Sequence, residues 1–372
     1  LTLSNQTVVI ETKTINGLST LSNGTHNFYR IKDGQGAFDY LYQDGSNPDF
    51  EQFFMTNYAD TFVGSNNSDT VFGYAGNDTI WAMDGNDSIY AGDGNDTIFG
   101  VSGNNLLEGG ADNDLIFGGT GNDNIYGEAG DDTIYGKSGN NYLNGGANDD
   151  IIYAGKGLDN IDGGAGIDTL RFDGGTQRVV VNLGSDTLTY DGGSTLIANR
   201  FINSWQNAGS NQIGTVSNIE NVDGTQYNDT IRGNNSINII LAGAGDDYIY
   251  ASLGNDKYDG GAHSNGDWVD YSLVTTTSGV KIDINTQSNA VFTVGGTTYN
   301  QILIDIENIK GTQYNDTIRG NNSTNTIKAG AGDDYIYASS GEDDKYDGGA
   351  NTVKGDSVDY SLVTTTSGVK ID

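Results

Sequence analysis

The clearest pattern in the chain is a nine-residue repeat of polar and hydrophobic positions between residues 64 and 171. Twelve consecutive blocks of nine fit this repeat without an insertion. In each block, six turn-forming residues precede a polar–aliphatic–variable triplet, which is typical of a tight turn and a very short strand. The aliphatic residue at position 8 is present in every block, as Val71, Ile80, Ile89, Ile98, Leu107, Ile116, Ile125, Ile134, Leu143, Ile152, Ile161 and Leu170.

The spacing of these aliphatic residues predicts how the strands associate. One buried side chain per strand is too little to build a core, so the strands must stack on one another. The pattern therefore predicts an all-β fold, a flattened right-handed coil with two blocks per turn and position 8 facing inward. Position 1 is Gly or Ala throughout. Position 4 is Gly in nine blocks and Asn67, Asp112 or Asn148 in the others, residue types that tolerate a left-handed backbone.

Position 6 carries an acidic residue in ten of the twelve blocks, and residues eighteen apart share one side of the coil. One column is uninterrupted and contains Asp78, Asp96, Asp114, Asp132, Asp150 and Asp168. The other contains Asp69, Asp87, Asn105, Asp123, Asn141 and Asp159. Because a neutral amide offers one oxygen and no charge, we expect the second column to bind cations more sparsely or more weakly.

The same unit returns in two longer copies spaced 87 residues apart, a spacing that grows to 89. Residues 224–236 recur identically at 311–323, and each copy holds a short roll. Position 6 of these rolls is predicted to be Asp229, Asn238, Asp247 and Asp256 in one copy, and Asp316, Asn325, Asp334 and Asp343 in the other.

The repeats divide the chain into five predicted segments. Residues 1–55 do not fit the repeat and are expected to form a β-rich cap, and residues 56–171 form the main roll. Residues 172–267 and 268–357 are the two long copies, the first with a protruding loop near 188–211. Residues 358–372 repeat 269–283 and start a further copy, so we expect the chain to be a piece of a longer one.

The composition excludes several classes of binding partner for this protein. Gly supplies 56 residues, Pro one and Cys none, and 50 acidic residues against 17 basic ones give a net charge of −33. This charge argues against nucleic acid and anionic membrane surfaces as partners, because both would be repelled. No apolar run approaches the roughly 18 residues of a membrane span, so no membrane insertion is expected. The charge favours cations.

Blocks such as GYAGNDTIW from residue 73 and GGTGNDNIY from residue 118 resemble the nonapeptide G-G-x-G-x-D-x-U-x of the RTX (repeats-in-toxin) family. The resemblance implies a parallel β-roll, a β-solenoid with several Ca²⁺ ions held between the loops of successive turns. The ligands it implies are the position-6 carboxylates named above, of both columns and both short rolls. It also implies the backbone carbonyls of Gly76, Gly85, Gly92, Gly94, Gly103, Gly110, Gly119, Gly121, Gly130, Gly146, Gly155, Gly157, Gly164, Gly166, Gly243, Gly245, Gly254, Gly330 and Gly332.

The physical chemistry of the blocks favours the same ion. Ordering a glycine-rich chain costs more than twelve buried aliphatic residues return, and the stacked Asp columns repel one another. Without a cation the fold should therefore fail. Plain Asp and Asn turns are the alternative, but they do not explain a fixed position 6 beside an aliphatic position 8. Zinc and iron are disfavoured, because the chain has no Cys and only His26 and His263.

Position 9 carries aromatic residues on one side of the coil, and two interpretations are open. Trp81, Phe99, Phe117, Tyr135 and Tyr153 form one row; Phe72, Tyr90, Glu108, Tyr126, Asn144 and Asp162 form a broken one. An aromatic ladder could hold an extracellular glycan or a neighbouring surface-protein copy. Stacking that only stiffens the sheet is the favoured interpretation.

Three functions are considered. The first is a non-catalytic, calcium-dependent structural or adhesive module of a large secreted bacterial surface protein, such as an adhesin or surface-layer component. The alternative is a calcium-folded secretion module of an RTX enzyme or toxin whose catalytic domain lies outside this chain, since no HExxH or GxSxG motif occurs here. Ice binding would need Thr repeatedly at position 3, where only Thr120 occurs. The family resemblance further implies type I secretion and an extracellular location, with folding on export.

Overall fold

The computed structural model describes residues 2–3, 6–7, 28–32, 38–42, 50–172, 177–190, 193–203, 212–285, 288–341 and 344–363. The chain divides into two compact units, residues 1–173 with 217–219, and residues 174–216 with 220–372. The strands of the first unit are β1 (Thr2–Leu3), β2 (Gln6–Thr7), β3 (Phe28–Lys32), β4 (Phe38–Tyr42), β5 (Phe50–Phe54), β6 (Thr61–Val63), β7 (Ser68–Phe72), β8 (Thr79–Trp81), β9 (Ser88–Asp93), β10 (Thr97–Phe99), β11 (Leu106–Ala111), β12 (Leu115–Phe117), β13 (Asn124–Ala129), β14 (Thr133–Tyr135), β15 (Tyr142–Ala147), β16 (Ile151–Ala154), β17 (Asn160–Ala165) and β18 (Thr169–Phe172).

The first unit is a parallel β-solenoid, as the nine-residue period predicts. Even-numbered strands β6 to β18 form one sheet and odd-numbered strands β5 to β17 form the other, each in chain order. Neighbouring strands pair in parallel with a register of eighteen residues, as Ile98 with Ile116 shows. Two blocks therefore make one turn. The predicted all-β roll is confirmed.

The solenoid starts earlier than the repeat pattern suggests. Strand β5 lies in the segment predicted as a cap, yet it pairs in parallel with β7. Phe53 is opposite Val71 and Phe54 opposite Phe72, so two phenylalanines take the places of positions 8 and 9. At the end of the roll, an aromatic residue can take the inward position that aliphatic residues occupy elsewhere. A search for aliphatic residues at position 8 therefore misses this strand.

The core of the first unit consists of two inward rows of position-8 side chains, one from each sheet. All twelve position-8 side chains have 0% exposure, which confirms the predicted inward face. The position-9 rings lie on the other side and stack face to face. Trp81, Phe99, Phe117, Tyr135 and Tyr153 follow one another at centroid distances from 4.2 to 5.3 Å. Glu108 and Asn144 interrupt the second row, where Phe54, Phe72 and Tyr90 stack.

Shortening one inward side chain should destabilise the roll more than removing an outward ring. Ile116→Ala leaves a cavity in a fully buried row and should lower the free energy of unfolding by about 2–5 kcal/mol. Phe117→Ser, on the next residue, removes a half-buried ring and should cost much less. Thermal melts of the calcium-loaded chain compare the two variants, and equal losses would contradict the assignment of the faces.

The backbones of successive turns are in direct contact. Asp112 and Asn148 adopt the expected left-handed conformation at position 4, with φ of 74° and 82°, but Asn67 does not. Position 4 needs a small residue where turns meet, since a Cβ on Gly103 would lie 1.4 Å from the Gly85 carbonyl oxygen. Position 2 is left-handed in ten of the twelve blocks, even at Val101 with φ of 68°. The residue types at position 2 do not signal this.

The second unit is built on the same principle with antiparallel insertions. Its strands are β19 (Val179–Asn182), β20 (Leu188–Tyr190), β21 (Ser194–Leu196), β22 (Arg200–Asn203), β23 (Gln212–Ser217), β24 (Asn221–Thr225), β25 (Thr230–Arg232), β26 (Ile239–Gly243), β27 (Tyr248–Tyr250), β28 (Lys257–Asp259), β29 (Trp268–Asp270), β30 (Lys281–Asp283), β31 (Asn289–Val294), β32 (Thr297–Ile304), β33 (Asn308–Lys310), β34 (Thr317–Arg319), β35 (Thr326–Lys328), β36 (Tyr335–Tyr337), β37 (Lys345–Asp347) and β38 (Ser357–Asp359). One sheet runs β24-β26-β28-β32-β31-β30-β34-β36-β38 and the other β23-β22-β19-β25-β27-β29-β33-β35-β37.

Antiparallel pairs lengthen single rungs of this unit, at β30–β31–β32 and at β22–β23. The loop predicted near 188–211 contains the hairpin β20–β21 over a small core of Val180, Leu188, Tyr190, Leu196 and Ile202. Residues 204–211 of that prediction lie outside the described residues. Within the described part of the chain, no helix is long and apolar enough to cross a membrane.

Candidate metal centres

Each position-6 carboxylate uses one oxygen to connect two turns of the solenoid. The backbone N–H of Asp96 donates to Asp114 Oδ1 at 2.8 Å, and that of Asp114 donates to Asp132 Oδ1 at 2.7 Å. The same bond repeats along both columns with an interval of eighteen residues. These carboxylates are buried, with exposures of 0–3% in the main roll. The first oxygen of each is therefore committed to the protein.

The second oxygen of most of these carboxylates has no such partner. Among the described residues, no hydrogen-bond donor reaches the Oδ2 atoms of Asp78, Asp87, Asp96, Asp114, Asp123, Asp132, Asp150, Asp159, Asp247, Asp267 and Asp334. A buried ionised oxygen without a partner is strongly unfavourable. A row of such oxygens fits a cation that prefers oxygen ligands, and Ca²⁺ is the hard cation expected there.

The surroundings of the second oxygen explain position 1 of the repeat. A Cβ on Gly73 would lie 2.8 Å from Asp78 Oδ2 and 2.2 Å from the Ala91 carbonyl oxygen of the next turn. Gly64 is placed in the same way against Asp69 Oδ2 and the Ala82 carbonyl oxygen. At Gly64 and Gly73, position 1 therefore has no room for a side chain, and the space beside the carboxylate is lined with oxygen atoms.

Side chains alone do not form a complete metal site among the described residues. No group of three or more His, Cys, Asp or Glu side chains suitable for a metal is found among the described residues. A carbonyl predicted as a ligand at position 2 can form part of the backbone ladder, as in the bond from Ser138 N–H to the Gly119 carbonyl at 3.0 Å. Since a carbonyl oxygen has a second lone pair, the expectation that positions 2 and 4 supply calcium ligands stays a prediction. Of the two histidines, His263 pairs with Glu307 at 3.2 Å and His26 lies outside the described residues.

Burial raises the pKa of the column carboxylates. The pKa rises to about 8 for Asp78, Asp114 and Asp150, with burial as the largest cause and neighbouring column carboxylates adding to it. It rises to about 7 for Asp132 and to about 6 for Asp96, again mainly through burial. The fold thus concentrates carboxyl groups where water does not solvate them, which disfavours their ionised form unless a cation is present.

At the first turns of the rolls, three aspartates predicted as calcium ligands accept hydrogen bonds from the protein on both carboxylate oxygens. The backbone N–H groups of Ser65, Thr225 and Thr312 donate to the Oδ2 atoms of Asp69, Asp229 and Asp316 at 2.7, 2.5 and 2.6 Å. The hydroxyls of the same residues donate to the Oδ1 atoms. A Ser/Thr-x-x-x-Asp pattern marks these places in the sequence.

At other column positions, a tyrosine hydroxyl donates to the second carboxylate oxygen. Asp256 Oδ2 accepts hydrogen bonds from the Tyr258 hydroxyl and from Gln301 Nε2, both at 2.7 Å. In the second copy, Tyr346 donates in the same way to Asp344 Oδ2 at 2.8 Å. A tyrosine at position 8 thus replaces a cation as the partner of the carboxylate.

The prediction of Asp343 needs a correction. Asp343 lies outside the described residues, and Asp344 occupies the column, where its Oδ1 accepts the Asn325 N–H at 2.8 Å. The register follows the Asp-x-Tyr spacing that Asp256 and Tyr258 also show, and an extra residue before it shifted the count.

The nine-residue count also missed two column members. Asp267 Oδ1 accepts the Asp247 N–H at 2.7 Å, and Asp356 Oδ1 accepts the Asp334 N–H at 2.9 Å. Extra residues in the preceding turns break the period there. The signal that survives is Gly-Asp-x-Val-Asp, in GDWVD and GDSVD, which keeps the spacing between positions 6 and 8.

Asparagine in a column behaves differently from aspartate. Asn141 Nδ2 donates to the Gly136 carbonyl at 3.0 Å, and Asn238 Nδ2 donates to the Glu220 carbonyl at 2.8 Å. At Asn141 and Asn238 the amide thus places a donor on the side where aspartate has its second oxygen, whereas Asn105 Nδ2 has no acceptor among the described residues. This geometry supports the expected difference between the two columns.

The column of Asp78 to Asp168 should therefore hold more calcium than the column of Asp69 to Asp159. Asn141→Asp should add bound calcium, because it restores a carboxylate to the weaker column. Asn140→Asp is the matched control, since Asn140 is exposed and its side-chain oxygen accepts the Leu158 N–H, a bond that an aspartate keeps. Anomalous scattering from calcium in crystals locates the ions. Equal, full occupancy of both columns in the unmodified chain would contradict the expectation.

Comparison with known families identifies the repeat. A family model described as the RTX calcium-binding nonapeptide repeat, in four copies, matches residues 56–89, 63–98, 72–107, 99–134, 108–143, 135–170, 223–258 and 310–344. These matches together cover half of the chain. A search of curated proteins finds no match to this chain.

Proposed function

The chain belongs to the RTX calcium-binding nonapeptide repeat family, and from this premise we propose that it is a non-catalytic, calcium-folded structural and adhesive module of a large secreted bacterial surface protein. The observation that carries the proposal is the buried row of column carboxylates whose second oxygens lack a donor among the described residues. Bound calcium would neutralise these oxygens and connect successive turns, so that binding energy becomes folding energy.

Calcium dependence makes the module fold outside the cell and not inside it. Inside a cell, where free calcium is scarce, repulsion among carboxylates and the net charge of −33 keep the chain unfolded and exportable. Outside, calcium at millimolar levels lies within the range that extracellular modules bind. Family membership supports a type I route out of a Gram-negative cell and an extracellular location.

The second candidate is a secretion module of an RTX enzyme or toxin whose catalytic domain lies elsewhere in the parent. The tandem copies with spacings of 87 and 89 residues favour the structural role, because regular repetition builds length. Enzymatic activity of the parent protein that is lost only with a domain outside this chain would favour the second candidate instead.

A calcium titration of the chain tests the proposal. Small-angle scattering should give an expanded chain at submicromolar calcium and a compact one at millimolar calcium. Protease treatment of intact producing cells should then release fragments that contain these repeats. A chain that is already compact at submicromolar calcium, or repeats that remain protected in intact cells, would contradict it.

A further inference from the structure

Two cavities in the second unit lie at equivalent places of the tandem copies. The larger has a volume of about 560 Å³ and the smaller about 280 Å³. Each is lined by a threonine, a tyrosine and a leucine that correspond in the repeat, namely Thr230, Tyr250 and Leu273 in one and Thr317, Tyr337 and Leu362 in the other. A cavity that returns with the repeat is a feature of the repeating unit.

A hydrogen bond beside the cavities is also repeated. The hydroxyl of Tyr248 donates to Asp270 Oδ2 at 2.6 Å, and the hydroxyl of Tyr335 donates to Asp359 Oδ2 at 2.6 Å. In the larger cavity, Lys310 Nζ binds Asp270 at 3.0 Å and the Ser272 hydroxyl at 3.1 Å. Since the Asp270 side chain is fully buried, its carboxylate fixes the lysine at the cavity wall.

The remaining lining of the larger cavity is rich in hydroxyl groups. Thr187 and Thr189 come from the loop and strand of the β20–β21 hairpin, and Thr230 and Ser272 come from the solenoid. Tyr250 is held in place because its hydroxyl donates to the Thr189 carbonyl at 2.8 Å. Aromatic and apolar surface combined with several hydroxyls and one fixed cation suits a ligand with alternating C–H faces and hydroxyl groups.

We propose that the larger cavity, between the β20–β21 hairpin and the strands β25 and β27, is a binding site for a neutral saccharide. The volume is within the usual range for small-molecule sites. Tyr250 and Leu273 provide the apolar contact, while Lys310 and the hydroxyls provide hydrogen bonds. The smaller cavity is the reduced counterpart in the second copy, where no residue equivalent to the hairpin threonines lines it.

Charge decides between neutral and acidic saccharides. The chain carries a net charge of −33, so a polyanionic glycan is repelled as it approaches. Lys310 does not reverse this repulsion, because Asp270 compensates its charge at 3.0 Å. A neutral saccharide meets no such barrier.

The aromatic ladder of the first unit is a weaker place for a sugar. Its rings are nearly parallel and 4.2–5.3 Å apart, so each ring face already packs against the next ring. Only ring edges remain for a ligand, whereas a sugar ring packs on an aromatic face. The cavity therefore fits a glycan better than the ladder does.

The test uses the full chain in saturating calcium, with saturation-transfer NMR against cellotriose, maltotriose, mannotriose and chitotriose. At least one neutral trisaccharide should give a signal that titrates to saturation at millimolar concentration. Tyr250→Ala and, separately, Leu273→Ser should each reduce the signal about tenfold. Leu273 is 37% exposed, so this second variant should fold even if the first does not.

Tyr90→Ala is the matched control, because Tyr90 is a half-buried position-9 tyrosine of the first unit that is not among the residues lining the cavity, and its loss should leave binding unchanged. Absence of binding by the folded chain, binding of a trigalacturonate in preference to the neutral sugars, or unchanged binding by Leu273→Ser would overturn the proposal. The site serves the adhesive part of the proposed function. Circular dichroism of the same samples separates the two, because a chain that folds with calcium but binds no sugar refutes only this site.

Discussion

Stripping calcium from the chain should unfold the first unit. The twelve inward side chains form only two rows of six, and most of the surrounding carboxylates have raised pKa values and second oxygens without donors among the described residues. Without a divalent cation the ionised columns repel one another inside the protein, and the glycine-rich turns lose the ligand that orders them. Circular dichroism should lose the strand signal in excess chelator and regain it when calcium is added back. Strand content and protease resistance that survive chelation would show that the solenoid does not need the ion.

Substitution of two adjacent aspartates, one at a time, distinguishes the loss of a calcium ligand from the loss of one negative charge. Asp132 is buried in the column, whereas Asp131 is exposed at position 5, and its side chain accepts the Asp149 N–H at 3.1 Å. Asp132→Asn should raise the calcium concentration needed for folding at least about tenfold, since it removes a charged ligand. Asp131→Asn should barely change it, because an asparagine oxygen keeps that hydrogen bond. Equal effects of the two substitutions would mean that overall charge, and not the column, controls folding.

The calcium-free chain should become more stable as the pH falls, against the usual behaviour of acidic side chains. Column carboxylates in the fold have their pKa raised from 3.8 to about 7 or 8, as for Asp78, Asp87, Asp114 and Asp132. The folded state thus binds more protons than the unfolded chain between these values. Stability from the protonated columns is fully present below about pH 4 and is lost as the pH rises through 6 to 8.

The measurement is circular dichroism of calcium-stripped protein between pH 8 and pH 4, without a chelator. Strand signal should grow on acidification in the calcium-free sample, while in limiting calcium acid should weaken folding, because protons compete with the ion for the same oxygens. Replacing Asp114 and Asp132 together by Asn should flatten the pH response of the calcium-free chain. A calcium-free chain that loses structure on acidification would contradict the raised pKa values.

The sequence alone determined the repeating architecture of this protein. A period of nine with an aliphatic residue at every position 8 admits one arrangement, because a single buried side chain per strand finds a core only by stacking. The sequence also predicted the role of position 6, because ten aspartates at a fixed distance from that aliphatic residue indicate that they bind a common ligand. Both inferences depend on local spacing, and wherever the spacing was kept, position 8 lies inward and position 6 lies in a column. They failed at Asp267, Asp344 and Asp356, where extra residues in a turn break the count.

The tertiary structure decided which of the aspartates keep an available oxygen. Asp114 and Asp256 occupy the same position of the repeat, yet Oδ2 of the first has no donor among the described residues and Oδ2 of the second accepts from Tyr258 and Gln301. Gln301 comes from 45 residues further along the chain, so no local pattern reveals this contact. The cavity at Tyr250 has the same origin, because its walls come from strands and a hairpin that are distant in sequence. Local spacing fixes which residues face inward, but only the packing of distant segments fixes what each inward group contacts.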